Sequence, residues 1–212
     1  MVNQLYDGNP PERPRTKISQ FARSDFLNPL RNHMVEVFPT TLFVFQHNNP
    51  SIIQEVDSIP DDPKVLSHIS PGANRNIVEG SHQGMFSLQL FKRYELEAFQ
   101  SWVVECLEKV DPQVEIFQSW INKGPKGSKQ VVHTHANSRI SGVYYHNTTP
   151  DQGGIVFMNP NPYSKMCMWG TEEGRHFPAT PNTLVLFPSW LEHKTTENRS
   201  DNLRVSVAFN AR

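Results

Sequence analysis

Apolar and polar positions change rhythm several times along this chain. Through residues 1–33, Asn, Pro and Arg recur with little periodicity, which predicts an extended or loosely attached arm. From Met34 the stretch VEVFPTTLFVFQ alternates, with β-branched and aromatic enrichment, and predicts one or two strands around Pro39. PSIIQEVDSI (50–59) reads as a short helix, with Pro50 in its first turn just after Asn49 as a cap. Residues 60–84 are rich in Pro, Asp, Ser, Asn and Gly and predict a long irregular loop. Compact domains keep such loops mainly when they cover something.

The clearest helix is YELEAFQSWVVECLEKV (94–110). Leu96, Phe99, Val103, Cys106 and Leu107 share one face at helical spacing, while Glu95, Glu97, Gln100 and Glu108 take much of the rest. Asp111-Pro112 ends it. The pattern then shortens into VEIFQSWI, KQVVHTH, ISGVYYH, GGIVFMN, TLVLFPS, EHKTTE and LRVSVAFN, separated by turn-forming KGPKG, TTPDQGG, NPNP, TPN and NRSDN. Helices followed by seven short strands predict an α+β chain. Its second half, about 114–210, reads as a jelly roll, a double-stranded β-helix of the cupin-like kind, supported by N-terminal helices. Residues 34–212 then make one domain beyond the arm, with no internal repeat.

Composition narrows the picture. The chain has 212 residues, with 20 basic against 21 acidic side chains and a formal charge of −1, so no broad basic face for nucleic acid is indicated. Arg13, Arg15, Lys17 and Arg23 make the arm locally basic, as a solvated tail would be. No run approaches a membrane span, and the polar, Pro-rich start lacks a signal-peptide core. The expectation is a cytoplasmic protein, in a bacterial or phage-infected cell. Cys106 and Cys167 read as reduced packing residues. Met166, Met168 and Trp169 form an apolar patch that packs or lines a substrate mouth.

The chemistry concentrates in histidines. On a KQVVHTHANS strand, Val131, His133, His135 and Asn137 fall on one face, and two imidazoles at i and i+2 can converge on one ion. His193 closes the apolar run FPSWLEH, and antiparallel folding could bring it beside them. Imidazole suits several first-row metals, and three protein ligands leave positions open. Each histidine alone reads equally well as a hydrogen-bonded core or surface residue, and His135 with Asn137 is an alternative pair.

Taken together, W-x-N at Trp120 and Asn122, H-x-H at His133 and His135, S-G-V-Y-Y at Ser141 to Tyr145, F-P-S-W-L-x-H at Phe187 to His193 and R-x-S-x-A-F-N at Arg204 to Asn210 resemble the prolyl-hydroxylase-like 2-oxoglutarate/Fe(II) oxygenases. The nearest likeness is to a bacterial and phage branch. The resemblance covers about 34–212 and is strongest over 116–212. It implies His133 and His193 as metal ligands, with His135 where most of the superfamily carries a carboxylate. It implies Arg204, eleven residues past His193, as the clamp on the distal carboxylate of 2-oxoglutarate, with Tyr145 supporting it. Ser206 on the Arg204 face and Asn122 one strand away are candidate additions. Trp120, Trp190 and Met168 are candidate substrate-lining residues, although Phe187, Trp190 and Leu191 are also expected as buried wall.

The cofactors implied are Fe(II), 2-oxoglutarate and O2, and the reaction implied is hydroxylation of a peptidyl (for instance prolyl) or small-molecule substrate. The missing carboxylate keeps open a three-histidine cupin-like metalloenzyme that does not use 2-oxoglutarate. A non-catalytic jelly-roll binding module is a further reading. The small-molecule cosubstrate is the one partner implied, and a homodimer stays open.

Overall fold

The computed structural model describes residues 39–62, 66–68, 89–161, 163 and 173–212. The chain divides into two compact units, Met1–Thr40 and Thr41–Arg212. The expected arm, most of the expected 60–84 loop, and Met166, Cys167, Met168 and Trp169 lie outside the described residues.

The second unit opens with β1 (Phe43–Gln46) and α1 (Pro50–Asp57). As its sequence predicts, α1 starts at Pro50, and the Asn49 side chain accepts from the Ser51 amide at 3.0 Å. A short β2 (Leu66–His68) follows, then a single turn α2 (Leu90–Arg93) and α3 (Glu97–Glu108). The expected helix over 94–110 is therefore shorter at its start. Tyr94 is extended (φ −124°, ψ 143°), and its hydroxyl donates to Asp62 at 2.7 Å. The start of α3 is fixed by Glu55 of α1, whose carboxylate accepts from the amides of Ala98 (3.0 Å) and Phe99 (2.8 Å). An anion on first-turn N–H groups favours a helix start there, and this one comes from another helix.

The strands are β3 (Ile116–Gly124), β4 (Gln130–His133), β5 (Ile140–His146), β6 (Gly154–Met158), β7 (Gly174–Pro178), β8 (Thr183–Pro188), β9 (His193–Thr195) and β10 (Arg204–Ala211). Among the described residues they form a six-stranded sheet, β1-β8-β5-β10-β3-β2, and a four-stranded sheet, β4-β9-β6-β7. The β2–β3 pair is parallel and the other pairings are antiparallel. β7 was not foreseen. Its Arg175 and His176 are exposed on a sheet edge, so it lacks the apolar alternation that marks its neighbours.

Two apolar clusters follow from the pleat. On the outer face of the large sheet, Ile121, Tyr144, Leu184, Leu186, Val207 and Phe209 pack against Ile52, Val56, Phe99 and Val103 of the helices. Between the sheets, Ile155 and Phe157 of β6 meet Val185 and Phe187 of β8, with Leu191. The unbroken apolar run of β8 thus serves both faces at once. Gly142 lies under the Phe209 ring, with no room for a Cβ. No described helix is long and apolar enough to cross a membrane.

Candidate metal and cosubstrate site

Antiparallel pairing of β4 with β9 sets His133 directly opposite His193. His135 arrives differently from the expected alternation on one strand. β4 stops at His133, and His135 follows in a segment whose amide donates to the Ser189 carbonyl at 3.0 Å. The chain then turns through Asn137, at φ 59°. Asn137 is exposed and does not join the cluster. One ligand atom from each of His133, His135 and His193 lies within 4.8 Å of the others.

Backbone carbonyls fix the tautomers of two rings. Nδ1–H of His133 donates to Val131 O and that of His193 to Leu191 O, each at 2.8 Å, so both present the Nε2 lone pair. The Nε2 atoms of His135 and His193 are 3.2 Å apart. Two nitrogens about 2.1 Å from one first-row ion, at 90–109°, stand about 3.0–3.4 Å apart, so the pair fits a shared ion. Burial, then repulsion from His193 and His133, pushes His135 down to about 3. Burial and His133 push His193 down to about 4, and burial lowers His133 as well. All three rings are therefore neutral at pH 7, the form that binds metal.

The same cavity runs inward between the sheets. Its volume open to water-molecule centres is about 60 Å³, room for several waters or a small organic ion. Trp120, Asn122, Tyr145, Thr195, Arg204 and Ser206 line it beyond the histidines. They come from the inward positions of β3, β5, β9 and β10, whose registers place Ser206 between Asn122 and Tyr145. Arg204 is 3% exposed. Its Nη1 donates to the carbonyls of Gln152 (2.9 Å) and Thr196 (2.8 Å), and Nη2 donates to Thr195 Oγ1 (3.3 Å). These acceptors are all neutral. Among the described residues no carboxylate comes within ion-pair distance of it. Burial lowers its pKa, and Tyr145 pulls the other way.

Two further polar atoms wait in this region. The Tyr145 hydroxyl and Asn122 Oδ1 are buried without a hydrogen-bond partner among the described residues. Burial pushes Tyr145 up to about 12, so it is a neutral donor. Asn122 Nδ2 donates to Ser206 Oγ at 3.4 Å. A buried guanidinium with no anion, beside an unpaired hydroxyl, suits a carboxylate-bearing ligand.

Further along the same strands, outside the cavity lining, the polar groups are mutually satisfied. Ser189 and Ser141 hydroxyls are 2.8 Å apart, and Ser141 donates to Asn210 Oδ1 at 2.8 Å. Asn210 Nδ2 donates to Gln118 Oε1 at 2.7 Å. This chain ties the β8–β9 turn to three strands of the large sheet, and Ser189 in turn holds the His135 backbone. Sequence reasoning gave no role to Gln118 or Thr195. Thr195 could have been found, because it lies two residues past His193 on the same strand face.

The remaining candidates divide. Trp120 is buried in the cavity wall, its ring centroid 6.1 Å from that of His135. Phe187 and Leu191 are buried as expected, but Trp190 is 59% exposed and absent from the cavity wall. It sits in the tight β8–β9 turn, where the Leu191 amide donates back to Pro188 O at 2.9 Å and sends the intervening side chain outward. Glu192, next to His193, is exposed on the opposite face.

Fold and donor set define a double-stranded β-helix protein with a three-histidine cluster at the mouth of its barrel. Residues 118–210 match the family described as "Putative 2OG-Fe(II) oxygenase". HygX from Streptomyces hygroscopicus, solved with nickel and 2-oxoglutarate bound, is similar at 10% identity over 81% of this chain and 82% of that one, TM-score 0.52. AviO1 from Streptomyces viridochromogenes Tue57 is similar at 10% identity over 81% and 89%, TM-score 0.51. A 2OG-Fe(II) oxygenase-family oxidoreductase from Burkholderia pseudomallei is 16% identical over 58% of this chain, TM-score 0.47, and this chain spans 60% of its length. No curated protein matches the sequence. The family match supports a likeness to the 2-oxoglutarate/Fe(II) oxygenases over residues 118–210, the stretch that holds all of these site residues.

Proposed function

We propose that this protein is an Fe(II)- and 2-oxoglutarate-dependent dioxygenase that hydroxylates a C–H bond of a peptidyl or small-molecule substrate. The observation that carries this reading is the buried Arg204 guanidinium, held only by neutral acceptors, in the cavity that the three histidines close. His133, His135 and His193 would hold the metal, and Arg204 with Tyr145 would hold the distal carboxylate of 2-oxoglutarate. When bound, metal and cosubstrate activate O2, one oxygen atom entering the substrate and the other entering succinate, with release of CO2. The chain's own work is to keep three imidazoles neutral and converged, to orient the dianion by a two-pronged guanidinium, and to exclude water with Trp120, Ile155 and Phe187.

The test is succinate formation against 2-oxoglutarate concentration in wild type, Arg204→Lys and Arg204→Ala. Lysine keeps the charge but loses the fork, so half-saturation rises by about tenfold or more and rises further with alanine, while metal affinity changes little. Equal half-saturation in all three removes Arg204 from the site. The absent carboxylate ligand favours a second reading, a three-histidine metalloenzyme that does not use 2-oxoglutarate. Under that reading, anaerobic Fe(II) protein gains no visible charge-transfer band when 2-oxoglutarate is added.

A further inference from the structure

Two of the three histidines are placed by the sheet and one is not. His133 and His193 face each other across the β4–β9 pair, so their rings follow from strand register. His135 lies beyond the end of β4, in a segment that turns through the left-handed Asn137 before β5 begins at Ile140. One residue grips both ends of that segment. The Ser189 carbonyl accepts from the His135 amide at 3.0 Å, and the Ser189 amide donates to the Arg139 carbonyl at 3.1 Å. The position of the third imidazole therefore depends on where Ser189 stands.

Ser189 is held in turn by its side chain. Its hydroxyl is 2.8 Å from that of Ser141, which donates its own hydrogen to Asn210 Oδ1 at 2.8 Å, so Ser189 is the donor to Ser141. Asn210 Nδ2 donates to Gln118 Oε1 at 2.7 Å. Ser141 stands opposite Asn210 in the β5–β10 register and Asn210 opposite Gln118 in the β10–β3 register, so these three side chains form one rung across the large sheet. All four residues are buried, from Ser189 at 0% to Gln118 at 4% exposed. Apolar groups of the same shape would stabilise this place about as well, because each hydrogen bond largely replaces bonds to water. What a fully satisfied polar rung adds is direction, holding Ser189 in one rotamer at one height.

Resting on the reading of the three histidines as the metal site, we propose that the Gln118–Asn210–Ser141–Ser189 rung is a positioning device for that site, acting on the ion through His135. The Nε2 atoms of His135 and His193 are 3.2 Å apart, which suits a shared ion. Ligand distances in a metal site hold to within about 0.2 Å, so a Ser189 free to shift takes His135 out of reach. His133 and His193 stay behind on their strands.

The experiment titrates Co(II) into full-length metal-free protein against a competing chelator, following the visible bands of the ion. Wild type, Ser141→Ala, His135→Gln and the double variant are compared. Ser141→Ala weakens Co(II) binding by about tenfold or more, as the loss of groups that orient a ligand does, and moves the visible bands toward those of His135→Gln. When position 135 is already glutamine, the same change alters affinity by less than about twofold, because the path from the rung to the ion is gone. An equal loss in both backgrounds marks a general weakening of the fold and overturns the proposal.

Co(II) binding that needs His135 but is insensitive to Ser141→Ala also overturns the proposal, and leaves the three-histidine reading standing. If His135→Gln binds Co(II) as tightly as wild type, His135 is not a ligand, and that reading falls together with the proposal. Should Ser141→Ala fail to fold, Ser189→Ala is put through the same cycle with the same expected and overturning results. It deletes the first hydroxyl of the rung and leaves the bond from Ser141 to Asn210 in place.

Discussion

Tyr144 and Tyr145 stand side by side on β5 and face opposite ways. On the outer face, Tyr144 packs 4.8 Å from Phe99, centroid to centroid, and its hydroxyl is fully used. His47 Nδ1 accepts from the Asn49 amide, so its Nε2–H donates to Tyr144 at 3.0 Å, and Tyr144 donates onward to Asn182 at 3.3 Å. On the inner face, Tyr145 is as deeply buried, yet its hydroxyl has no partner among the described residues. Leaving a buried polar group unpaired costs about 1–3 kcal/mol, and the inner face also carries Asn122 Oδ1 and a desolvated guanidinium. The difference teaches where the fold was shaped for stability and where for a ligand. The Tyr144 hydroxyl is satisfied without one, whereas His146 Nδ1 on the same face has no partner among the described residues.

The largest effect separating the faces should come from their histidines. His193→Ala removes one of three converging donors, and metal affinity falls by at least about 100-fold in a competitive chelator titration. His47→Ala on the outer face lowers stability by about 1–2 kcal/mol and leaves metal affinity within roughly twofold. A loss of metal from the His47 variant would break the comparison.

Acid should sharpen it next. In the metal-free protein, His135 near 3 and His193 near 4 lie below the value of about 6.5 for an unfolded histidine. Between those limits the unfolded state binds more protons, so stability is fully present above about pH 6.5 and is lost as pH falls toward 4. The slope is at most about 1.4 kcal/mol per pH unit for each histidine. Thermal melts of metal-free wild type from pH 7 to pH 4 measure this, and His135→Gln flattens the curve. A melting temperature independent of pH in that window would contradict the site's burial.

The smallest effects fall on the tyrosines themselves. Tyr145→Phe leaves stability unchanged or raises it slightly, since an unpaired hydroxyl is removed, while half-saturation by 2-oxoglutarate rises by about fivefold. Tyr144→Phe does the reverse, costing about 1 kcal/mol in urea unfolding with no change in cosubstrate use. Identical behaviour of the two variants would erase the distinction between the faces.

Much of this was legible along the chain. The Asn49-Pro50 helix start, the amphipathic face of α3 and the alternation within β3, β5 and β10 are local patterns, and they appear where the residues place them. Local pattern misled where a distant group intervened. Glu55 set the start of α3 at Glu97, inside the expected 94–110 span, and a tight turn sent Trp190 into solvent although its neighbours Phe187 and Leu191 are buried. β7 escaped notice because an exposed edge strand has no apolar face to announce it.

The sequence by itself determined the kinds of groups available: three histidines, a strand arginine, two adjacent tyrosines, and no acid at position 135. Local spacing is enough for that, since a strand commits alternate side chains to opposite faces. Only the tertiary structure decided which groups meet. It set His133 across from His193 by the β4–β9 register, and it brought His135 in from beyond its strand through the Ser189 carbonyl. It left Arg204 with neutral acceptors alone, beside the unpaired Tyr145 hydroxyl and Asn122 Oδ1, in one cavity while pairing Gln118, Asn210, Ser141 and Ser189 with one another. Those outcomes depend on contacts between residues 48 to 92 positions apart, and hydrogen-bond satisfaction is a property of the closed barrel rather than of any segment.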